Sequence, residues 1–183
     1  MADTMIQPVA QQLLDCFAAA LITEHGLPTM AEGGTRPGET CFRSGELASM
    51  DASVFEDLCC SGLAWVRVAD IFSTSTDFPT PDTLNVLMGC GAMAWGVVFE
   101  LGVMRCAPTG SIETIPTCDE WTALQANLMA DAKAMRAAFC CVFGEYDPGS
   151  IAIGSWVPLP TTGGCAGGTW QVTVQILNTE CCE

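Results

Sequence analysis

The only histidine of the chain, His25, is the residue type most often used for acid–base chemistry near neutral pH. A catalytic histidine needs a nucleophile or a carboxylate beside it, and a metal-binding histidine needs further ligands. His25 stands next to Gly26 at the end of a predicted helix, where histidine commonly favours the negative helix end. With no second histidine to complete a triad or a metal cluster, we expect it to end the helix.

A glycine-rich stretch, GGCAGG at 163–168, could indicate a phosphate-binding loop. Such loops join a strand to the N-terminus of a helix, and the motif usually includes a lysine. This stretch lies between two predicted strands and carries no Lys or Arg. We therefore predict that it is a hairpin loop.

Glu100 lies in a very apolar segment, where burial would raise the pKa of its carboxyl, as in a general acid. One carboxylate alone does not make a glycosidase or a proton-transfer site. We expect Glu100 to pair with Arg67 or Arg105, or to face the interior of a ring. Asp119 and Glu120 open a predicted helix and complement its positive end.

Twelve cysteines make the composition unusual. Zinc sites favour C-x-x-C pairs, whereas the close pairs here are adjacent residues, whose side chains diverge on a strand or a helix. We predict no metal and no cofactor, and thiols that stay mostly free in a reducing cytosol. A small-ligand or metal-binding module remains an alternative, as does a thiol enzyme using Cys59 or Cys141, which would need a thiolate pKa well below about 8.5.

Charge and length limit the function further. Six basic residues against 21 acidic ones give a net charge of −15, and the basic residues are scattered, so a grip on nucleic acid is not expected. The 183 residues, half of them hydrophobic, suit one domain with a real core. Neither a membrane span nor a signal peptide is visible, so we expect folding in the cytosol.

The first half of the chain predicts two helices and two strands. The helices cover Met5–Glu24 and Asp51–Cys60, and the segment between them, at 27–50, is expected to be a flexible surface loop that orders on a partner. The strands cover Leu63–Phe72 and Ala92–Cys106. The second strand is nearly all apolar, which indicates a central strand, and its glycines Gly96 and Gly102 leave room for a close neighbour or a bend.

The clearest helix follows Pro116. Thr117 and Glu120 form a capping box, and the helix runs to Gly144. Its apolar residues recur at helical spacing and predict a stripe that packs on the sheet. The core residues that we predict on this stripe are Trp121, Leu124, Leu128, Met135 and Phe139.

Ile151–Leu177 has the pattern of a β-hairpin. Trp170, Val172 and Val174 alternate with polar residues, which predicts one buried face. Pro158 cannot donate to a ladder, which places its strand at an edge or close to a bend. Together these elements predict an α+β fold: a single mostly antiparallel β-sheet flanked by an N-terminal helix and one long central helix.

Several segments carry a resemblance to a known group. CCSGLAWVRVADIFSTSTDFP, then AMAWGVVFELGVMRCAPTG, PTCDEW and ADAKAMRAAFCC, then GSWVPLPTTGGCAGGTWQVTVQI, together resemble the tail-terminator or head-to-tail connector (neck) proteins of long-tailed actinobacteriophages. The resemblance extends from about Gln7 to Cys182 and rests on the order and content of these segments. It implies one tail-terminator-like domain over 1–183, ending in a short C-terminal tail at 178–183, and it brings no catalytic residues.

The resemblance implies a virion protein that assembles in the host cytoplasm into a ring, expected to be a hexamer, and that is not an enzyme. The ring would meet the major tail tube protein on one face and a head stopper or connector on the other, while genomic DNA passes through without specific binding. A head-side stopper or adaptor is the alternative, and a tail-tube subunit is a more distant one. The candidate contacts with subunits or partners are Trp156, Pro158, Leu159, Arg36, Arg43 and Phe78.

Overall fold

The structure is a computed structural model that describes residues 6–43, 61–75, 77–81, 93–108, 115–162 and 164–178. Two helices and five strands make up its regular part. In chain order they are α1 (Ile6–His25), β1 (Glu39–Phe42), β2 (Leu63–Thr74), β3 (Met93–Cys106), α2 (Cys118–Phe143), β4 (Ile151–Thr162) and β5 (Cys165–Asn178). Short 3-10 helices cover Met30–Glu32 and Pro148–Ser150.

All five strands form one sheet in the order β1-β2-β3-β5-β4. The β1–β2 pair is parallel and the other three pairs are antiparallel. This arrangement confirms the predicted fold class: one mostly antiparallel sheet with an N-terminal helix and a long central helix. It also corrects the prediction for 27–50, because Glu39–Phe42 of that segment is an edge strand. Four residues are too few to show the alternation that reveals a strand in a sequence.

Both helices cover the same face of the sheet and pack against each other. Phe17 of α1, Phe99 and Leu101 of β3, and Met135 and Phe139 of α2 are almost completely buried between the layers. The alternation of β3 places its odd-numbered residues on this helix face, as a pleated strand requires. The buried layer accounts for the long apolar periodicities of both helices and of the central strands.

The long helix begins as predicted, but one of the residues predicted for its buried stripe is exposed. Thr117 and Glu120 form the reciprocal capping box, with Glu120 N–H donating to Thr117 Oγ1 at 3.3 Å and Thr117 N–H donating to Glu120 Oε2 at 2.7 Å. Leu124 and Leu128 are buried, but Trp121 is 42 % exposed, so its assignment to the core was wrong. Trp121 lies in the first turn of α2, one turn before the buried stripe begins.

The glycines of β3 make room for aromatic rings on the outer face of the sheet, the face opposite the helices. A Cβ atom at Gly102 would overlap the indole of Trp65, which is fully buried, and a Cβ at Gly96 would overlap the ring of Phe72. The prediction that these glycines admit a close neighbour is confirmed.

The predicted hairpin is β4–β5, and β4 forms one edge of the sheet, as Pro158 indicated. Val172 and Val174 are fully buried on the helix face. Trp170 is partly buried there, makes an edge-to-face contact with Phe139, and donates from Nε1 to the Gly154 carbonyl at 2.7 Å. These three core predictions are confirmed.

Two of the predictions, the helix at Asp51–Cys60 and the tail at 178–183, lie outside the described residues, apart from the strand end Asn178. Within the described part of the chain, neither helix has the length and hydrophobicity that a membrane span requires.

Candidate functional site

Three charged or polar side chains meet in the interior, at the end of the helix layer. Arg105 of β3 forms a two-pronged ion pair with Asp131 of α2: its Nε donates to Asp131 Oδ2 at 2.5 Å and its Nη2 donates to Asp131 Oδ1. His25, at the end of α1, places Nε2 2.8 Å from Asp131 Oδ1. Each of the three side chains exposes 2 % or less of its surface. We call this group the buried cluster.

The buried cluster also holds the loop that follows α1. Arg105 Nη1 donates to the Thr35 carbonyl at 2.5 Å and lies 3.5 Å from Met30 Sδ. Within the loop, Arg36 donates twice to the Leu27 carbonyl, at 3.1 and 2.8 Å. The loop leads directly into β1, so the cluster connects the last turn of α1, the middle of α2, the end of β3 and the approach to the edge strand.

Both ring nitrogens of His25 are engaged. Nδ1 lies 3.2 Å from Thr35 Oγ1, and Nε2 lies 2.8 Å from Asp131 and 3.1 Å from Arg105 Nη2. A proton on Nε2 satisfies the contact with Asp131, and the Thr35 hydroxyl can then donate to Nδ1, while Arg105 Nη2 approaches Nε2 as a second donor to the same carboxylate rather than as a hydrogen-bond partner of the ring. The order hydroxyl, imidazole, carboxylate is that of a nucleophilic triad, but the histidine and carboxylate are sealed from solvent and Arg105 neutralises the carboxylate. The arrangement therefore fixes structure.

His25 ends α1, as predicted, but the sequence analysis considered only other histidines as its partners and did not foresee the contact with Asp131. All three cluster residues continue an apolar period: His25 follows Leu21 by four residues and Arg105 follows Val103 by two. Asp131 follows Leu128 by three. Polar residues in phase with a buried stripe must find partners inside. The position of each polar residue in phase with buried apolar residues was therefore the sequence signal that could have predicted the cluster.

A second ion pair lies on the outer face of the sheet. Arg67 Nε donates to Glu100 Oε1 at 2.6 Å, its Nη2 donates to Oε2 at 3.1 Å, and Gln171 Nε2 donates to Oε2 at 3.0 Å. Burial raises the pKa of Glu100, but the bonds from Arg67 and Gln171, the charge of Arg67 and the nearby Trp65 indole together hold that pKa below its ordinary value. The predicted partnership with Arg67 is confirmed, and the raised pKa of a general acid is not found.

Four of the seven cysteines that the structure describes are disulfide-bonded, whereas the sequence analysis expected mostly free thiols in a reducing cytosol. Cys16 and Cys141 form a disulfide between α1 and α2, and Cys106 and Cys165 are also disulfide-bonded. Among the described cysteines, those free are Cys41, Cys118 and Cys140. The packing of α1 against α2 brings Cys16 to within 6.2 Å of Cys141, Cα to Cα, although 125 positions separate them in the chain.

The alternative of a thiol enzyme gains nothing from these sites. Cys141 is held in the disulfide, and Cys59 lies outside the described residues. Burial raises the pKa of the Cys41 thiol, the opposite of what a reactive thiolate needs. Within the described ranges, no three His, Cys, Asp or Glu side chains come together in a group that could hold a metal ion.

An open pocket of about 330 Å³ lies beside the buried cluster, between the end of β3 and the first turns of α2. Its polar lining includes Arg105, Glu120 and Asn127. Arg105 is committed to Asp131, and Glu120 is committed to the capping box, where its bonds with Thr117 lower the pKa of its carboxyl. The charged side chains that line the pocket are therefore already engaged in structural contacts.

Five of the six candidate contact residues are partly buried. Trp156 is partly buried against the helix-face core, and Leu159 packs on the outer-face cluster around Trp65. Pro158 is exposed, and the guanidinium of Arg43 lies 5.8 Å from the Trp65 ring. Arg36 is committed to its loop, and Phe78 lies half-buried in a turn after β2.

No model of a known protein family matches this chain, and no curated protein is significantly similar to it.

Proposed function

We propose that the chain is a structural subunit of the neck of a long-tailed phage, where a ring of copies caps the tail tube and joins it to the head connector. The segments that resemble tail-terminator proteins motivate the assignment. A sheet with two edges and a helix layer on one face suits a subunit that joins its neighbours edge to edge.

The observation that carries the proposal is the edge strand β4. It is twelve residues long, and two of its large apolar side chains, Ile153 and Val157, are 54 % and 52 % exposed. A strand edge with exposed hydrophobic side chains can pair with another chain, and the part of β4 before Pro158 has none of the prolines that protect such an edge. In a ring, the neighbouring subunit would cover it.

The charge distribution suits a conduit for DNA. Arg67 and Arg105 are neutralised by Glu100 and Asp131, so they add no positive charge to the surface. Lys133 pairs with Glu24 at 2.9 Å. The net charge of −15 leaves a large excess of acidic over basic residues, which suits a channel past which a phosphate backbone slides without being held.

Electron microscopy of a lysate from a phage lacking this gene tests the proposal, with the wild-type gene supplied in trans as the control. We expect filled heads and separate tails whose tubes have grown past their normal length. The physical reason is that the proposed ring would cover the axial face of the last tube ring, so in its absence that face stays open to further tube subunits.

The other outcomes distinguish the alternatives. Tails of normal length beside heads that leak DNA would identify a head-side stopper or adaptor. Absence of any tube would identify a tail-tube subunit. Normal infectious particles would overturn the neck assignment altogether.

A further inference from the structure

The two edges of the sheet fit each other as successive links of a ring. Among the described strands, β1 and β4 each have a neighbour on one side only. From the pairings, β2 runs opposite to β3, β1 runs with β2, β5 runs opposite to β3, and β4 runs opposite to β5. The two edge strands β1 and β4 are therefore antiparallel to each other.

Rotation about a ring axis can place the β1 edge of one subunit beside the β4 edge of the next with both sheets facing the same way. The pair so formed is antiparallel, which allows the well-aligned hydrogen bonds of an ordinary ladder. The helix layers of neighbouring subunits then lie on the same side of a continuous sheet. This is a head-to-tail contact, the kind that generates closed rings.

Proline confines the contact to the first part of β4. N–H groups two residues apart point to the same side of a strand, so Pro158 and Pro160 remove two donors from one side. Proline in a ladder places its nitrogen toward the free edge. An irregularity between Ile153 and Trp156 ends the first regular stretch at Ile151–Ile153. The usable segment is short, and so is β1, at four residues.

Side-chain direction completes the match. Phe42 pairs with Val66, and Ile153 pairs with Val172; both partners are fully buried under the helices, so Phe42 and Ile153 lie on the helix face. Phe42 is 45 % exposed and Ile153 is 54 % exposed. Joined edge to edge, the two side chains meet on the same face and cover each other.

We propose that the subunits join through β1 of one copy and the Ile151–Ile153 part of β4 of the next, with Phe42 and Ile153 at the centre of the contact. This inference rests on the proposed function, because it gives the interface of the ring. A symmetric contact between two β4 edges would make dimers, and it is distinguished by the test below.

The test uses the full chain, with light scattering to measure assembly and circular dichroism to confirm folding. Ile153→Lys and Phe42→Glu should each raise the concentration needed for assembly by at least about tenfold, because each places an unpaired charge in an apolar contact. Ile22→Lys is the matched control, since Ile22 is 39 % exposed on α1, and it should assemble as wild type does.

The decisive step mixes the two variants. In a head-to-tail ring, an Ile153→Lys copy and a Phe42→Glu copy can alternate, so that Lys meets Glu at one joint and wild-type residues meet at the next. Mixing should therefore restore rings that neither variant forms alone. Assembly of Ile153→Lys at wild-type concentrations would overturn this interface and leave the ring intact. If Ile153→Lys abolishes assembly and Phe42→Glu has no effect on it, the contact is the symmetric one between two β4 edges. If the wild-type protein is a monomer both in solution and in particles, the ring itself is overturned.

Discussion

Replacing Asp131 with Asn removes one charge from the buried cluster and leaves its shape almost unchanged. Arg105 would then keep its positive charge with 2 % of its side chain exposed and no counter-ion. Breaking a buried ion pair by removing one partner costs about 3–5 kcal/mol, a large part of the 5–15 kcal/mol that stabilises a typical domain. We expect Asp131→Asn to lower the free energy of unfolding by about 3–5 kcal/mol.

Urea unfolding, followed by circular dichroism with the disulfides intact, measures this loss. With a slope of about 2 kcal/mol per molar urea, the midpoint should fall by roughly 1.5–2.5 M. Asp15→Asn is the matched control, because Asp15 is exposed and its carboxylate accepts a bond from Gln11 Nε2 at 2.9 Å on the same helix. It should cost less than about 0.5 kcal/mol.

A second substitution separates charge from packing. Adding Arg105→Met to Asp131→Asn removes the uncompensated positive charge, so the double variant should recover part of the lost stability. A loss below about 1 kcal/mol for Asp131→Asn, close to that of Asp15→Asn, would refute the argument that the cluster is a buried, interdependent unit.

Three further predictions concern the core, the disulfide and pH. Leu128→Ala should cost about 2–5 kcal/mol in urea unfolding, and Trp121→Ala, at an exposed position, less than about 1 kcal/mol. Reducing Cys16–Cys141, which spans 125 positions, should cost about 2–5 kcal/mol, and a Cys16→Ser/Cys141→Ser variant should lose less on reduction than the wild type. Since Glu100 has a lowered pKa when folded, its ionised form stabilises the protein above its ordinary pKa of 4.5. The difference in free energy of unfolding between the wild type and Glu100→Gln should therefore decrease as the pH falls through the folded-state pKa of Glu100. A difference that stays constant with pH would contradict this.

Secondary structure was largely readable from the sequence, since the strongest signals were long periods that local physics dictates. The capping box at Thr117, the alternation before Ile176 and the apolar run of β3 each specify an element almost alone. The edge strand β1 was missed because its four residues carry no period, and its parallel pairing with β2 depends on contacts distant in the chain.

The contacts of the buried cluster could not be predicted from the sequence, although each member lies in phase with the apolar residues of its element. Arg105 is in phase with its strand and Asp131 with its helix, but which charged residue meets which is a tertiary fact. The choice of Arg67 for Glu100 was predictable to within two candidates. Trp121 was wrongly assigned to the core because the helical spacing of apolar residues was extended into the first turn of α2, one turn before the buried stripe begins.

The buried cluster also sets an order of events during synthesis. His25 and Arg105 are 80 residues apart in the chain, and His25 and Asp131 are 106 apart. At about 5–20 residues per second, several seconds pass between the appearance of His25 and that of Asp131 on the ribosome. Until α2 emerges, Arg105 lacks the Asp131 carboxylate that positions it against the Thr35 carbonyl, so the contacts that hold the loop before β1 are incomplete. In the proposed ring, the β1 edge of a subunit would therefore be completed only after most of its chain has been synthesised.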